Sequence, residues 1–145
     1  AVVTNELARV LKPGGILAFS TWPKELFMGK FFKLIEDFSP PMPDGVASPV
    51  LWGDMTIIQE RLANQFEKIE FGRDTMYAPT MSPEHMLKLF EKNAGPLANL
   101  IKALGDDSTK LTELRKSALD LIAKFFSNNF LKQDFLMTRC IRKSS

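Results

Sequence analysis

Apolar residues at Val3, Leu7, Val10 and Leu11 recur at the spacing of one helix face, and a continuous apolar run from Ile16 to Phe19 follows. Between them lies Lys12-Pro13-Gly14-Gly15. Pro13 cannot continue a helix and pushes Lys12 towards extended geometry, while the two glycines allow a tight reversal. The chain therefore opens as helix, turn and strand. The unbroken run at Ile16–Phe19 predicts a strand covered on both faces. The helix is under way by about Val3 with no cap before it, and residue 1 is not Met, so an upstream part of the domain is expected to have been cut away.

The same patterning continues. A helix over Lys24 to Phe38 carries a broad apolar face of Leu26, Phe27, Phe31, Leu34, Ile35 and Phe38. Ser39-Pro-Pro-Met-Pro-Asp-Gly45 breaks it, and the loop runs on through Pro49, long enough to serve as a lid or connector. Asp54 is placed to cap a helix that buries Ile57, Ile58 and Leu62. Phe66 to Phe71 alternates as a half-exposed strand and extends through Thr75 and Tyr77. Ser82-Pro83-Glu84 starts a further helix to about Asn93, Gly95-Pro96 a shorter one ending at Leu104 and Gly105, and Ser108 a third that Asn128-Asn129 ends. Asp134 to Arg142 reads as a last strand.

Composition narrows the classes. At 145 residues the chain has the size of one domain, with 45% hydrophobic and 25% charged residues, an ordinary balance for a soluble fold. A net charge of +2 argues against nucleic-acid capture, which needs a concentrated basic face. Arg139, Arg142 and Lys143 form the one terminal basic cluster and read as a solvated strand end. One cysteine, Cys140, excludes an internal disulfide and a multi-cysteine metal site, and its strand-like surroundings suit a small buried apolar residue. The chain carries no signal peptide and no apolar run near the length that spans a bilayer, so we expect no membrane partner and a cytoplasmic location.

Glu6-x-x-Arg9-Val10-Leu11-Lys12-Pro13-Gly14-Gly15, followed by a hydrophobic strand, resembles the class I S-adenosylmethionine-dependent methyltransferases, in particular the ubiquinone-biosynthesis-like branch. The resemblance implies the helix, turn and fifth strand of a seven-stranded sheet. It implies next a helix, a sixth strand, and a seventh strand inserted antiparallel between the fifth and sixth. The expected fold is accordingly α/β, the C-terminal half of a Rossmann-like methyltransferase fold, with a small mixed three-stranded sheet and several helices. Residues 1–145 would form one truncated domain, with 23–51 and 79–130 as helical insertions forming a lid. Such a half sheet leaves a bare strand edge, from which a homodimer or strand-swapped assembly of the fragment is expected.

The family holds its cofactor on a glycine-rich loop after the first strand and on an acid ending the second. Glycines let a backbone approach the ligand, and a carboxylate accepts the ribose hydroxyls. Neither motif stands in this sequence, so the chain alone is expected to bind no S-adenosylmethionine and to be inactive, the cofactor belonging to the full-length enzyme. We assign no catalytic, cofactor-binding or metal residue. His85, the single histidine, sits in a helix first turn and reads as a surface residue. What this half could supply is an acceptor wall: Ser20, Thr21 and Trp22 at the strand's carboxyl end, with Phe27, Phe31 and Trp52 above them, for a small apolar or aromatic acceptor. The alternative for these aromatics is packing of the added helix, and for the chain a non-catalytic apolar-ligand-binding or dimerisation module.

Overall fold

A computed structural model describes residues 2–41, 45, 48–105 and 108–144. In chain order these form α1 (Val2–Val10), β1 (Ile16–Thr21), α2 (Phe27–Phe38), a 3-10 turn (Pro49–Gly53), α3 (Met55–Leu62), β2 (Phe66–Pro79), α4 (Pro83–Asn93), α5 (Gly95–Leu104), α6 (Ser108–Phe125), β3 (Phe126–Ser127) and β4 (Phe130–Arg142). Residues 42–44, 46 and 47 of the long prolyl loop expected after Ser39 lie outside the described residues.

Among the described residues the fold combines six α-helices with a four-stranded sheet. β4 is its centre. β1 and the two-residue β3 pair along one edge of β4, β2 along the other, and every pairing is antiparallel. This corrects the expected mixed three-stranded sheet. Among the described residues no two strands pair in parallel, and β3 adds a strand that the helical patterning around Phe125 concealed. The last strand does lie between the first two, with Phe19 and Phe71 both opposite Thr138.

Asn128 and Asn129 do not simply end a helix. Both take positive φ, 49° and 62°, and make the two-residue turn of the β3–β4 hairpin. Asparagine tolerates that left-handed geometry better than most residues do. Caps fall where the residue types require them. Asp54 accepts from the amides of Thr56 and Ile57 at 3.0 and 3.4 Å, and the Ser82 hydroxyl accepts from the His85 amide at 3.2 Å.

Successive residues of a strand point to opposite faces, and β4 uses this to serve two cores. Leu131 belongs to a helical core with Phe27, Phe31, Met86, Leu97, Leu114 and Ile122, so α2, α4, α5 and α6 pack together on one face. Leu136 and Cys140 belong to a second core with Ala8, Ile58, Leu62 and Phe66, under α1 and α3 on the other face. Each face is covered over only part of its length.

That partial cover overturns two expectations. Leu17 and Phe19 are half-buried, but Ile16, Ala18 and Ser20 are exposed, so β1 is covered on one face alone. In α1 the buried residues are Thr4 and Ala8, flanked by half-buried Leu7 and Leu11, while Val3 and Val10 stand 60% and 65% exposed. The helix is rolled so that part of its apolar face looks away from the sheet. Its end is tied down by Arg142, whose Nε donates to the Ala8 carbonyl at 2.7 Å. Lys143 similarly reaches the Ala63 carbonyl at 2.6 Å, and Arg139 pairs with Glu70 at 3.2 Å, so the basic cluster is engaged at the strand end.

Candidate functional site

The carboxyl end of β1 runs directly into Trp22-Pro23, and the 3-10 turn folds back against it. The contact is close because residue 53 is glycine: a Cβ there would fall 2.2 Å from the Trp22 carbonyl oxygen. The turn thereby seats Trp52 over Phe19, ring centroids 5.8 Å apart and nearly perpendicular. The Arg61 guanidinium of α3 lies 4.6 Å from the Trp52 ring centroid on the helix side. Together with Val3 and Leu7 of α1 and Thr21 at the strand end, Phe19 and Trp52 line an open cleft of about 330 Å³. The Thr21 hydroxyl at the strand end is buried without a hydrogen-bond partner.

Of the six residues expected to bind an acceptor, the structure brings Thr21 and Trp52 to this cleft. Ser20 points to the opposite face of the sheet, beside Met137. Trp22 is half-buried and meets Phe135 edge-on at 6.5 Å. Phe27 and Phe31 are fully buried in the helical core, where Phe27 stacks on Phe31 and Phe90 at 5.7 and 6.1 Å. They pack α2 against α4 and α6. Sequence reasoning missed Val3, Leu7 and Phe19 as cleft walls, although their apolar spacing was visible. It missed them because periodicity identifies a face and not what covers it.

Other candidate chemistry takes structural roles. His85 is half-buried, not a free surface residue: its Nδ1 accepts from the Met81 amide at 3.3 Å and lies 3.0 Å from the Thr80 hydroxyl. Cys140 is fully buried, and burial pushes its thiol up from the ordinary value. A larger cleft of about 520 Å³ lies between the ends of α2 and α5 and the start of α6, with Asp37, Lys110 and Glu113 in its wall, and touches none of the expected site residues. Among the described residues no helix is long and apolar enough to cross a membrane, and no group of three or more His, Cys, Asp or Glu side chains could hold a metal ion.

The residues present do not fit the S-adenosylmethionine cradle. Gly14 and Gly15 lead into β1 instead of following it, and Gly29 and Gly53 each press against the backbone at Pro23, leaving no room for a ligand. No protein-family model matches the chain. It is similar to two Mycobacterium tuberculosis proteins, the uncharacterized proteins Rv1405c and Rv1403c, and to the uncharacterized protein Mb1440c of Mycobacterium bovis. Each is 22% identical over 134 residues, which cover 92% of this chain and 49% of the relative. The chain thus spans about half the length of the curated relatives it matches.

Proposed function

We propose that this chain is the C-terminal, acceptor-side half of a cytoplasmic S-adenosylmethionine-dependent methyltransferase with a Rossmann-like sheet. The single observation that supports the reading is the strand order: β4 lies between β1 and β2 and runs antiparallel to both. That is the arrangement the opening Lys12-Pro13-Gly14-Gly15 resemblance implies for a fifth, sixth and inserted seventh strand. The relatives' double length is compatible with a cofactor-binding half outside these residues. In this reading Thr21 and Trp52 form part of the wall for a small apolar or aromatic acceptor, and α2 with α4–α6 shields that end of the sheet. In this reading the cofactor belongs to the half of the enzyme outside these residues.

The cleft between α1 and Trp52 favours a second reading, a non-catalytic module that binds an apolar ligand or a second copy. Calorimetric titration of S-adenosylmethionine into the product of the intact gene, with the 145-residue chain as control, separates the two. Binding by the longer protein alone is the expected result. No binding by either rejects the methyltransferase.

A further inference from the structure

α2 and α6 lie side by side and antiparallel. Phe27 meets Phe125 at 5.4 Å at one end, and Asp37 and Phe38 share a cleft wall with Lys110 and Glu113 at the other. Helical spacing puts Lys30, Lys33, Leu34 and Asp37 on one side of α2, and Ser117 and Leu121 on one side of α6. Between these two sides lies an open hollow of about 300 Å³, its wall completed by Lys24 from the segment before α2.

The floor and the rim of this hollow differ in chemistry. Leu34, Ser117 and Leu121 are half-buried, whereas Lys24, Lys30 and Lys33 are exposed around them. One carboxylate in the wall answers the three ammonium groups: Asp37, which pairs with Lys33 across one helical turn. Such exposed i,i+4 pairs are weak, so Lys33 remains available to a stronger anion. Among the described residues no carboxylate lies within 4.0 Å of Lys24 or Lys30, while Arg9, Arg73, Arg115 and Arg139 each have one. Lys30 instead stands 5.6 Å from the Phe125 ring centroid. The hollow is left net positive, and hydrocarbon walls strengthen the field that such charges produce.

We propose that this hollow binds a small apolar anion, a hydrocarbon chain or ring ending in one carboxylate or phosphate. Leu34 and Leu121 would take the body, and the lysines the head. A lysine is a point charge on a mobile stem, which suits a head group whose position the tail fixes. The cations surround a concave apolar floor, a shape that fits a small ligand better than a flat anionic surface. The hollow lies on the helical-core face of the sheet, opposite the Phe19–Trp52 cleft, so the proposal does not rest on the methyltransferase reading.

Titration of decanoate and decyl phosphate into the product of the intact gene tests this, below their micellar concentrations and with decanol as the neutral control. The expected result is saturable one-to-one binding of at least one anion, about tenfold or more tighter than decanol and weakened by salt. The tighter anion names the head group. Replacing Lys24, Lys30 and Lys33 together by Gln, three exposed changes that leave the cores intact, should weaken that binding about tenfold or more. The amide resonances of Ser117 and Leu121 should shift in the parent protein only. Decanol binding as tightly as the anions overturns the proposal, and so does anion binding that the triple variant retains, which places the ligand elsewhere. Retention on phosphatidylglycerol vesicles without saturable binding of either anion also overturns it, in favour of a membrane surface. No binding of any probe overturns it outright.

Discussion

Phe19 and Trp52 meet edge to face at 5.8 Å, and this contact joins the covered face of β1 to the turn that precedes α3. Trp52 also carries Arg61 on its ring, so one half-buried indole connects strand, turn and helix.

Trp52→Ala is expected to cost about 1–3 kcal/mol, less than a fully buried aromatic because the ring is half-exposed. Arg61→Ala removes only the cation–π contact and should cost about 0.5–1 kcal/mol. Urea denaturation of both variants checks the order. Equal losses would show that Trp52 contributes little beyond its contact with Arg61.

Two glycines give opposite expectations. A Cβ at Gly53 meets the Trp22 and Pro23 backbone, so Gly53→Ala must shift main chain and should cost about 3 kcal/mol. A Cβ at Gly72 in β2 meets nothing within 4 Å and its φ is not in the left-handed region, so Gly72→Ala should be neutral or stabilise by up to about 1 kcal/mol. Thermal melts of the pair test whether the turn is held by backbone contact.

The hairpin turn should discriminate sharply between side chains. Asn128→Gly keeps the positive φ and should leave stability nearly unchanged. Asn128→Val places a branched side chain at φ 49° and should cost about 1–2 kcal/mol. The Thr80 amide donates to the Asn129 carbonyl at 2.9 Å, so exchange at Thr80 should quicken in the valine variant.

Glu84 supplies a pH dependence. A hydrogen bond from the Ser82 hydroxyl, reinforced by the backbone amide of Glu84 itself, holds its carboxyl below the ordinary value of 4.5. The unfolded chain therefore takes up this proton more readily than the folded one. The contribution is present above the unfolded value and disappears as pH falls through the lowered folded value. Midpoints of urea unfolding should fall on acidification below about pH 4.5, and Glu84→Gln should flatten that part of the profile.

Much of this architecture was readable along the chain. Pro13 and the two following glycines bounded α1, Asp54 and Ser82 marked helix starts, and Gly105 marked the end of α5. These are local decisions: each depends on a backbone group that a neighbouring residue satisfies or a ring that forbids continuation. The apolar faces of α2 and α6 were equally visible, since a helix repeats its buried side every three or four residues. The candidate cleft was legible only through Thr21 and Trp52, because Phe27 and Phe31 show the same spacing whether they line a pocket or fill a core.

The sequence by itself determined most of the helices and strands, though not β3, and where many of them stop, because capping, proline and side-chain periodicity act over a few residues. The order with β4 between β1 and β2 was already implied by the resemblance of the opening motif, and only the tertiary structure decided that β3 joins β4, that alternate residues of β4 feed two cores on opposite faces, and that Ile16, Val3 and Val10 remain in the open. Register and cover depend on contacts between residues more than a hundred positions apart, such as Phe19 opposite Thr138, and no local pattern encodes those.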